Sequence, residues 1–240
     1  MKIIVTGGAG FIGSHLVERL LKDKRIKKII ILDILKAGKR NIKHLLKNKK
    51  IKLYKKNVIQ IRRNDKNFKN AYCVFHLAAI ADIVPSITDP IDYYKTNVTG
   101  TINILEAMRY NNVNNIVYAA SSSCYGIPKN YPTSEKEKIQ LKFPYALTKY
   151  IGEESIIHWS EVYKMKFVSL RLFNVFGLRS RTSGAYGAVM GVFLKQKLSN
   201  KPLTIVGDGN QTRDFINVKD VVEAFYKSMM LKNKNHIINI

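Results

Sequence analysis

The sequence predicts an α/β fold built on a doubly wound parallel sheet, because short apolar runs alternate along the chain with longer stretches of helical periodicity. A glycine-rich turn at residues 7–13 joins the first apolar run directly to the first helical pattern. Three serines at 121–123 follow a later apolar run, where a strand would end. Because open α/β sheets bind ligands at the carboxyl ends of their strands, we expect the functional site along this edge.

The first strand and helix give the clearest prediction of a ligand. Residues 2–5 form an apolar run, and Ile12, Leu16 and Leu20 then recur at helical spacing. The glycines between them allow a tight turn and a close approach of the ligand to the backbone. Free N–H groups and the positive end of a helix dipole meet at that turn, which suits a diphosphate.

A second buried run, residues 28–32, ends at Asp33. A carboxylate at this distance from the turn, about twenty residues, can accept hydrogen bonds from the ribose of a dinucleotide. It would also repel a 2′-phosphate, which favours NAD over NADP, although Lys36, Lys39 and Arg40 weaken that preference. The alternative is a solvated aspartate in a loop after a strand.

The remaining elements continue the alternation of strands and helices. Strands are predicted at 51–54, 71–77, 115–120 and 167–172, helices at 86–110 and 144–163, and a short polar helix or loop at 61–70. Small residues at the end of the 71–77 run leave room for a cofactor against the backbone.

Beyond Asn174 the pattern is less regular. We expect a helix at 189–198, short strands at 203–206 and 215–216, a helix at 218–230 and a last strand at 236–240. The predicted domains are a dinucleotide-binding domain at 1–172 and part of a substrate lobe, interleaved with it, at 173–240.

Tyr145 and Lys149 are the predicted catalytic pair. They lie four residues apart, just after a proline that suits the first position of a helix, so both side chains share one helix face. Tyr125 and Lys129 have the same spacing but enclose a glycine and a proline, which preclude a regular helix. Lowering a phenol from its usual pKa near 10 to about 7 takes roughly 4 kcal/mol. An ammonium, oxidised NAD and a helix amino terminus would each contribute, so that Tyr145 acts as a general base and Ser121 steadies the developing carbonyl.

Composition limits the other functional classes. The net charge of +24 would attract nucleic acid, but the basic residues are mostly lysine, spread along the chain and not interleaved with aromatic residues. We therefore favour a solvated lysine-rich surface and disfavour a nucleic-acid partner. Two cysteines and five scattered histidines predict neither a disulfide framework nor a metal site. No apolar run approaches the ~20 residues of a membrane span and no signal peptide is evident, so we expect a cytoplasmic protein.

The ordered motifs are Thr6 to Gly13, Asp33, His76 to Ala79, Asn97 to Thr101, Ser121 to Gly126, Tyr145 with Lys149, and Arg171 to Gly177. With this set the chain resembles the extended short-chain dehydrogenase/reductase family, whose fold is of the Rossmann type. It is most similar to the NAD-dependent nucleotide-sugar 4-epimerases of the UDP-glucose and UDP-N-acetylglucosamine type. The set spans essentially the whole chain and is more specific for the family than for the substrate.

The resemblance implies a role for each matching residue. NAD would be bound by Gly7, Gly10, Phe11, Ile12, Gly13, Asp33, Asn57, Val58, Leu77, Ala78, Ala79, Asn97, Tyr145 and Lys149. Catalysis would use Ser121, Tyr145, Lys149 and Ser123, and both serines would also contact the sugar. The diphosphate of a UDP-sugar would lie against Asn174, Ala188, Val189 and Arg213. Arg213 has an alternative as a surface residue paired with Asp208 or Asp214. The helices at 86–110 and 144–163 resemble the pair that forms homodimers in the family.

Two departures from the family pattern stand out. Asn57 occupies the place of a common aspartate that reads the adenine. The chain ends at Ile240, where family members continue into the substrate lobe, so a fragment, a shortened gene product and one half of a two-part enzyme all stay open. The substrate lobe is therefore expected to be small and truncated.

A 4-epimerase is the expected activity. A 4,6-dehydratase would need an Asp-Glu pair where this chain has Ser122 and Ser123, so it is disfavoured, as are decarboxylases that use a glutamate in this loop. A 4-ketosugar reductase stays open. So does a catalytically silent NAD-binding protein, although intact Tyr145 and Lys149 argue against it.

Overall fold

The computed structural model describes residues 1–36, 38–180, 189–205 and 207–240. Its strands are β1 (Lys2–Thr6), β2 (Lys28–Asp33), β3 (Ile51–Lys55), β4 (Cys73–His76), β5 (Asn115–Ser121), β6 (Lys166–Leu172), β7 (Asn174–Phe176), β8 (Phe215–Asn217) and β9 (His236–Asn239). Seven of them form one parallel sheet in the order β3-β2-β1-β4-β5-β6-β9. The strand order reverses between β1 and β4, which confirms the predicted doubly wound fold.

The central strands are apolar along their whole length because helices cover both faces of the sheet. Ile3, Ile4 and Val5 in β1 are fully buried. Val5 lies opposite Ile31 of β2 and Phe75 of β4 in the parallel register. The glycine-rich turn and the serines therefore lie at the same carboxyl edge.

The helices are α1 (Phe11–Leu21), α2 (Ile83–Thr88), α3 (Pro90–Tyr93), α4 (Gly100–Tyr110), α5 (Pro144–Tyr163), α6 (Val189–Leu198) and α7 (Val218–Met230). α1 and α7 bury apolar residues such as Leu16 and Phe225 in one core. Residues of α4 and α5, including Ile104 and Ile156, belong to a second core on the other side of the sheet. This core also contains Ile4 and Ile30 of the strands. The catalytic pair of α5 thus belongs to a packed helix layer.

The predicted helix at 86–110 is interrupted. Helical structure begins earlier, at Ile83, and breaks at Asp89, whose backbone (φ −135°, ψ 66°) leaves the helical region. Pro90 explains the break, because proline disfavours a helical conformation in the residue before it. A π-helical turn at Tyr94–Thr99 then joins α3 to α4. This turn carries Asn97.

One shorter prediction also needs correction. Residues 203–205 form no strand, because Thr204 instead bonds to the side chain of Gln196 in α6; Val206 lies outside the described residues. The partner of β8 is β7, and the two form a separate parallel pair. Residues 61–70 are turns and loop after a short 3₁₀ helix at Val58–Gln60, which is the loop alternative of the two predicted for this segment.

The last elements return to the main sheet. α7 packs on α1, and β9 pairs with β6. The division of the chain into 1–172 and 173–240 stays a proposal, in which these two elements are the part of the second domain that interleaves with the first.

Candidate active site

The glycine-rich turn leaves no room for side chains. Gly7 has φ +69°, and a Cβ there would lie 2.8 Å from the backbone nitrogen of Ala78. A Cβ at Gly13 would lie 2.2 Å from the Gly7 carbonyl oxygen. Gly10 caps α1, and Phe11 and Ile12 begin it, so the first N–H groups of the helix are at the turn. The glycines therefore let β1, the end of β4 and the start of α1 pack closely together, and the N–H groups at the start of α1 suit a diphosphate bound at the turn.

Asp33 lies beside this turn at the end of β2. Its carboxylate accepts the N–H of Ala9 at 2.9 Å and the N–H of Leu35 at 2.7 Å. The carboxylate therefore fixes the turn as well as facing it. Asn57 accepts the N–H of Ile59 at 3.2 Å and so caps the short helix that contains Val58, which is buried.

The end of β4 is tied to β1 through the hydroxyl of Thr6. This oxygen accepts the N–H groups of Leu77 and Ala78, at 3.2 and 3.1 Å, and donates to Nδ1 of His76 at 2.7 Å. Nε2 of His76 lies 3.0 Å from the hydroxyl of Thr101, which itself donates to the carbonyl of Asn97. Nε2 must therefore carry the proton, and the imidazole is neutral. Burial, reinforced by the nearby Lys149 charge, lowers the pKa of His76 to about 3.

Asn97 links the loop after β4 to α5. Its side chain accepts the N–H of Ile80 at 2.9 Å and donates to the carbonyl of Ile80 at 3.1 Å. It also donates to the hydroxyl of Thr148 at 3.1 Å, and that hydroxyl donates to the carbonyl of Tyr145. The loop that contains Ala79 and the helix that carries the predicted base are therefore held at a fixed separation.

Ser121 lies beside Tyr145, close enough for its hydroxyl to affect the pKa of the phenol. Ser121 ends β5 and is buried, and its oxygen also accepts the N–H of Ser123. Burial raises the pKa of Tyr145 and the charge of Asp82 adds to this, while the nearby hydroxyl of Ser121 lowers it. From the groups of this chain the net direction is upward, opposite to the lowering that catalysis needs.

Lys149 is buried on the same helix. Its Nζ lies 4.1 Å from the centroid of the Tyr118 ring. Burial lowers the pKa of this ammonium to about 7, against an upward effect of Glu153. Burial therefore makes the charged form of Lys149 less favourable than in an exposed lysine.

A buried ion pair supports this helix from the next strand. Two nitrogens of Arg171 in β6 donate hydrogen bonds to the carboxylate of Glu153. The same carboxylate accepts a hydrogen bond from the Ser169 hydroxyl at 2.6 Å. Arg171 donates further to the hydroxyl of Tyr125, and this hydroxyl donates to Asn239 in β9. Tyr125 is thus part of the framework, apart from the exposed Lys129.

The predicted substrate residues lie in the less regular part of the chain. Asn174 begins β7 and donates to the carbonyl of Asp214 at 2.9 Å, and Val189 begins α6. Ala188 lies outside the described residues. Arg213 is exposed and donates to the adjacent carbonyl of Thr212. Within the described residues it forms no ion pair with Asp208 or Asp214, the alternative weighed for it.

Several supporting residues were given no role in the sequence analysis, although Arg171 begins one of its motifs. They are Thr148, Tyr118, Glu153 and Arg171. Glu153 lies one turn after Lys149, and Arg171 interrupts an apolar run, so an unexplained charge at a buried position was the signal available for both.

Two absences concern only the part of the chain that the structure describes. In ranges 1–36, 38–180, 189–205 and 207–240 no cluster of histidine, cysteine, aspartate and glutamate could hold a metal ion. In the same ranges no helix has the length and apolar character to cross a membrane.

Comparison with known proteins identifies the family. The NAD dependent epimerase/dehydratase family matches residues 3–240. A UDP-glucose 4-epimerase of Mycolicibacterium smegmatis is 35% identical, over 95% of this chain and 73% of its own length. A solved UDP-N-acetylglucosamine 4-epimerase of Methanobrevibacter ruminantium, in complex with UDP-N-acetylmuramic acid, superposes with a TM-score of 0.93 at 34% identity, over 100% of this chain and 76% of that one.

A third similar protein is a UDP-glucuronic acid 4-epimerase of Bacillus cereus, solved with UDP-glucuronic acid and NAD. It has a TM-score of 0.92 and 32% identity, over 100% of this chain and 77% of that one. The expected Rossmann-type fold and the expected cofactor, NAD, agree with these matches and with the description of the family. The chain belongs to the NAD-dependent epimerase/dehydratase family.

Proposed function

We propose that this chain is a nucleotide-sugar 4-epimerase that inverts carbon 4 of a UDP-hexose or UDP-N-acetylhexosamine through a transient 4-keto sugar. The observation that carries the proposal is the position of Ser121 beside Tyr145 at the carboxyl edge of the sheet, with Lys149 one turn along the same helix. All three named relatives are 4-epimerases, and they differ in the sugar.

The cofactor site fits NAD. Gly7, Gly10 and Gly13 with the start of α1 would hold the diphosphate, and Asp33 the adenosine ribose. The other residues proposed to contact the cofactor are Phe11, Ile12, Asn57, Val58, Leu77, Ala78, Ala79, Asn97, Tyr145 and Lys149. When bound, NAD supplies the acceptor for a hydride from carbon 4 and the donor that returns it.

The protein's own groups manage the proton. Tyr145 takes the proton of the 4-hydroxyl while Ser121 donates a hydrogen bond to the same oxygen. After the 4-keto sugar has turned over and carbon 4 has been reduced on its opposite face, Tyr145 gives the proton back to that oxygen. A positioned general base contributes on the order of 10²- to 10⁴-fold in rate. Burial raises the pKa of the Tyr145 phenol in the chain alone, and in this proposal the charge of Lys149 stabilises the phenolate during the reaction.

The substrate would be oriented from the other side of the site. Arg213 suits a diphosphate because its guanidinium is a forked donor, and Asn174, Val189 and Ala188 are the further residues proposed to face the nucleotide. Ser123 is proposed as a second hydroxyl near the sugar. The net charge of +24 favours approach of an anionic substrate.

Dehydration is disfavoured at this site. Ser122 and Ser123 lie in the 3₁₀ turn after Ser121, where neither hydroxyl can act as an acid or base at neutral pH. A 4-ketosugar reductase remains the second candidate, because the same Tyr145 and Ser121 would protonate a carbonyl oxygen.

A homodimer is part of this proposal. Apolar side chains are exposed on α2, α3 and the end of α5, with Ile87, Ile91 and Val162 each more than half exposed. These helices contact one another, so the three residues are candidates for one shared interface. Light scattering after size exclusion should give twice the mass of 27.4 kDa, and Ile91→Glu should reduce it to one chain.

The decisive experiment follows carbon 4 by NMR during incubation with UDP-glucose, UDP-galactose and their N-acetylated counterparts. Interconversion should occur for at least one pair and fall by at least about 10²-fold in Tyr145→Phe. Tyr150→Phe is the matched control, because Tyr150 lies on the same helix and is half-buried. Turnover that survives in Tyr145→Phe would refute the assignment of the base. A 4-keto sugar reduced with net consumption of NADH would favour the reductase.

A further inference from the structure

The ammonium of Lys149 lies over an aromatic ring. Nζ is 4.1 Å from the centroid of Tyr118, well inside the ~6 Å range of a cation–π interaction. Lys149 is 4% exposed and Tyr118 is 1% exposed. The contact is therefore shielded from water, where such an interaction is strongest.

The position of the Tyr118 ring is set by a hydrogen bond, by a stacking contact and by the space that a glycine leaves. Its hydroxyl donates to the carbonyl of Lys149 at 3.3 Å. The ring stacks on His76 with centroids 5.6 Å apart and planes at 29°. A Cβ at Gly152 would lie 2.5 Å from the Tyr118 hydroxyl, so this glycine makes room for it. The face presented to Lys149 is thus fixed by both β4 and α5.

The charged and titratable groups around Lys149 do not by themselves compensate the charge of its ammonium, so the ring of Tyr118 contributes to stabilising it. Tyr145 and Glu153 flank it on α5, and His76 on β4 is neutral. Glu153 raises the pKa of Lys149, but its carboxylate is shared with the guanidinium of Arg171 and the hydroxyl of Ser169. Much of the negative charge near the ammonium is therefore compensated by another cation.

We propose that Tyr118 is a positioning residue whose ring face holds Lys149, in its charged form, on the helix face that carries Tyr145. The proposal rests on the proposed function, because it concerns how Lys149 can support Tyr145. Burial pulls the pKa of Lys149 down to about 7, and the ring opposes that pull by stabilising the ammonium. Tyr118 would thereby set the fraction of molecules in which Lys149 is charged at neutral pH.

The test weakens the ring without changing its shape. Tyr118→Phe serves as the reference, followed by 4-fluoro-, 3,5-difluoro- and pentafluorophenylalanine at position 118. The pKa of Lys149 is measured by NMR of the ¹⁵N-labelled lysine side chains, with the signal assigned by its loss in Lys149→Met. We expect the pKa to fall stepwise with fluorination, by about one unit across the series.

The same series at Phe75 is the control, because Phe75 is equally buried but belongs to the other core. An unchanged pKa of Lys149 across the position 118 series would overturn the proposal, as would an equal fall in the Phe75 series. In active protein, the pH at which the rate falls on the alkaline side should decrease together with the pKa of Lys149. The NMR measurement needs no turnover, so it tests Tyr118 even if every sugar proves inert and the proposed function fails.

Discussion

Glu153 of α5 and Arg171 of β6 form an ion pair in which Nη2 lies 2.5 Å from Oε1 and both side chains are less than 5% exposed. The pair joins the catalytic helix to the strand behind it. Burial alone would lower the pKa of Arg171, but the bonds to Glu153 and Tyr125 raise it above its usual value, so the guanidinium stays charged.

Removing one partner should therefore be costly. Arg171→Met would leave a buried carboxylate without its cation, and we expect a loss of about 3–5 kcal/mol in the free energy of unfolding. The double variant Glu153→Leu with Arg171→Met should recover most of it, because no uncompensated charge remains. Urea unfolding of the three proteins measures both quantities. A single variant as stable as the parent would show that the pair is not a structural support.

The effect of the close contacts at Gly7 can be measured separately from the effect of its backbone angle. Gly7 and Gly38 have φ of +69° and +70°, but a Cβ at Gly38 would meet nothing within 4 Å. Gly38→Ala should therefore lose only about 1–2 kcal/mol of stability for the angle. Gly7→Ala should lose more and weaken NAD binding at least tenfold, because the Cβ collides with the backbone of Ala78. Calorimetric titration with NAD would show equal affinities if the collision did not matter.

The parts of the site that could be predicted are those that local spacing determines. The turn at 7–13, Asp33 and the pair Tyr145 and Lys149 each depend on a few consecutive residues and on one rule of strand or helix geometry. The fold class follows from the same alternation.

The parts that escaped prediction depend on contacts distant in sequence. Arg171 meets Glu153 and Tyr118 meets Lys149 only when the sheet and helices have assembled. The pairing of β7 with β8 was missed for the same reason. A strand was predicted at 203–206 instead, because the local pattern of that segment is equally suited to a strand. The π turn at Tyr94–Thr99 leaves no local signal at all.

Asn97 should affect activity through position rather than contact with the reacting atoms. Asn97→Ala would leave the backbone groups of Ile80 without their partner, and we expect a loss of about 1–3 kcal/mol in stability and at least tenfold in NAD affinity. Asn111→Ala is the matched control, because its side chain also bonds to two backbone groups, the carbonyls of Arg63 and Ala107, at the far end of α4. It should lose stability but keep the affinity. Equal affinities for NAD in both variants would contradict the role given to Asn97.

His76 should make the protein sensitive to acid. Its pKa is about 3 in the folded chain and about 6.5 in the unfolded one, so the unfolded state binds more protons between these values and stability is lost as the pH falls below 6.5. From pH 7.5 to pH 5 this loss amounts to about 2 kcal/mol. His76→Gln is less stable at pH 7.5 but lacks this dependence, so its deficit relative to the parent should shrink by the same amount at pH 5. Exposed His236→Gln is the control, and urea unfolding at the two pH values gives the comparison. A deficit that stays constant would mean that His76 has the same pKa in the folded and the unfolded protein, and the hydrogen bonds from Thr6 to Asn97 would then need a different proton arrangement.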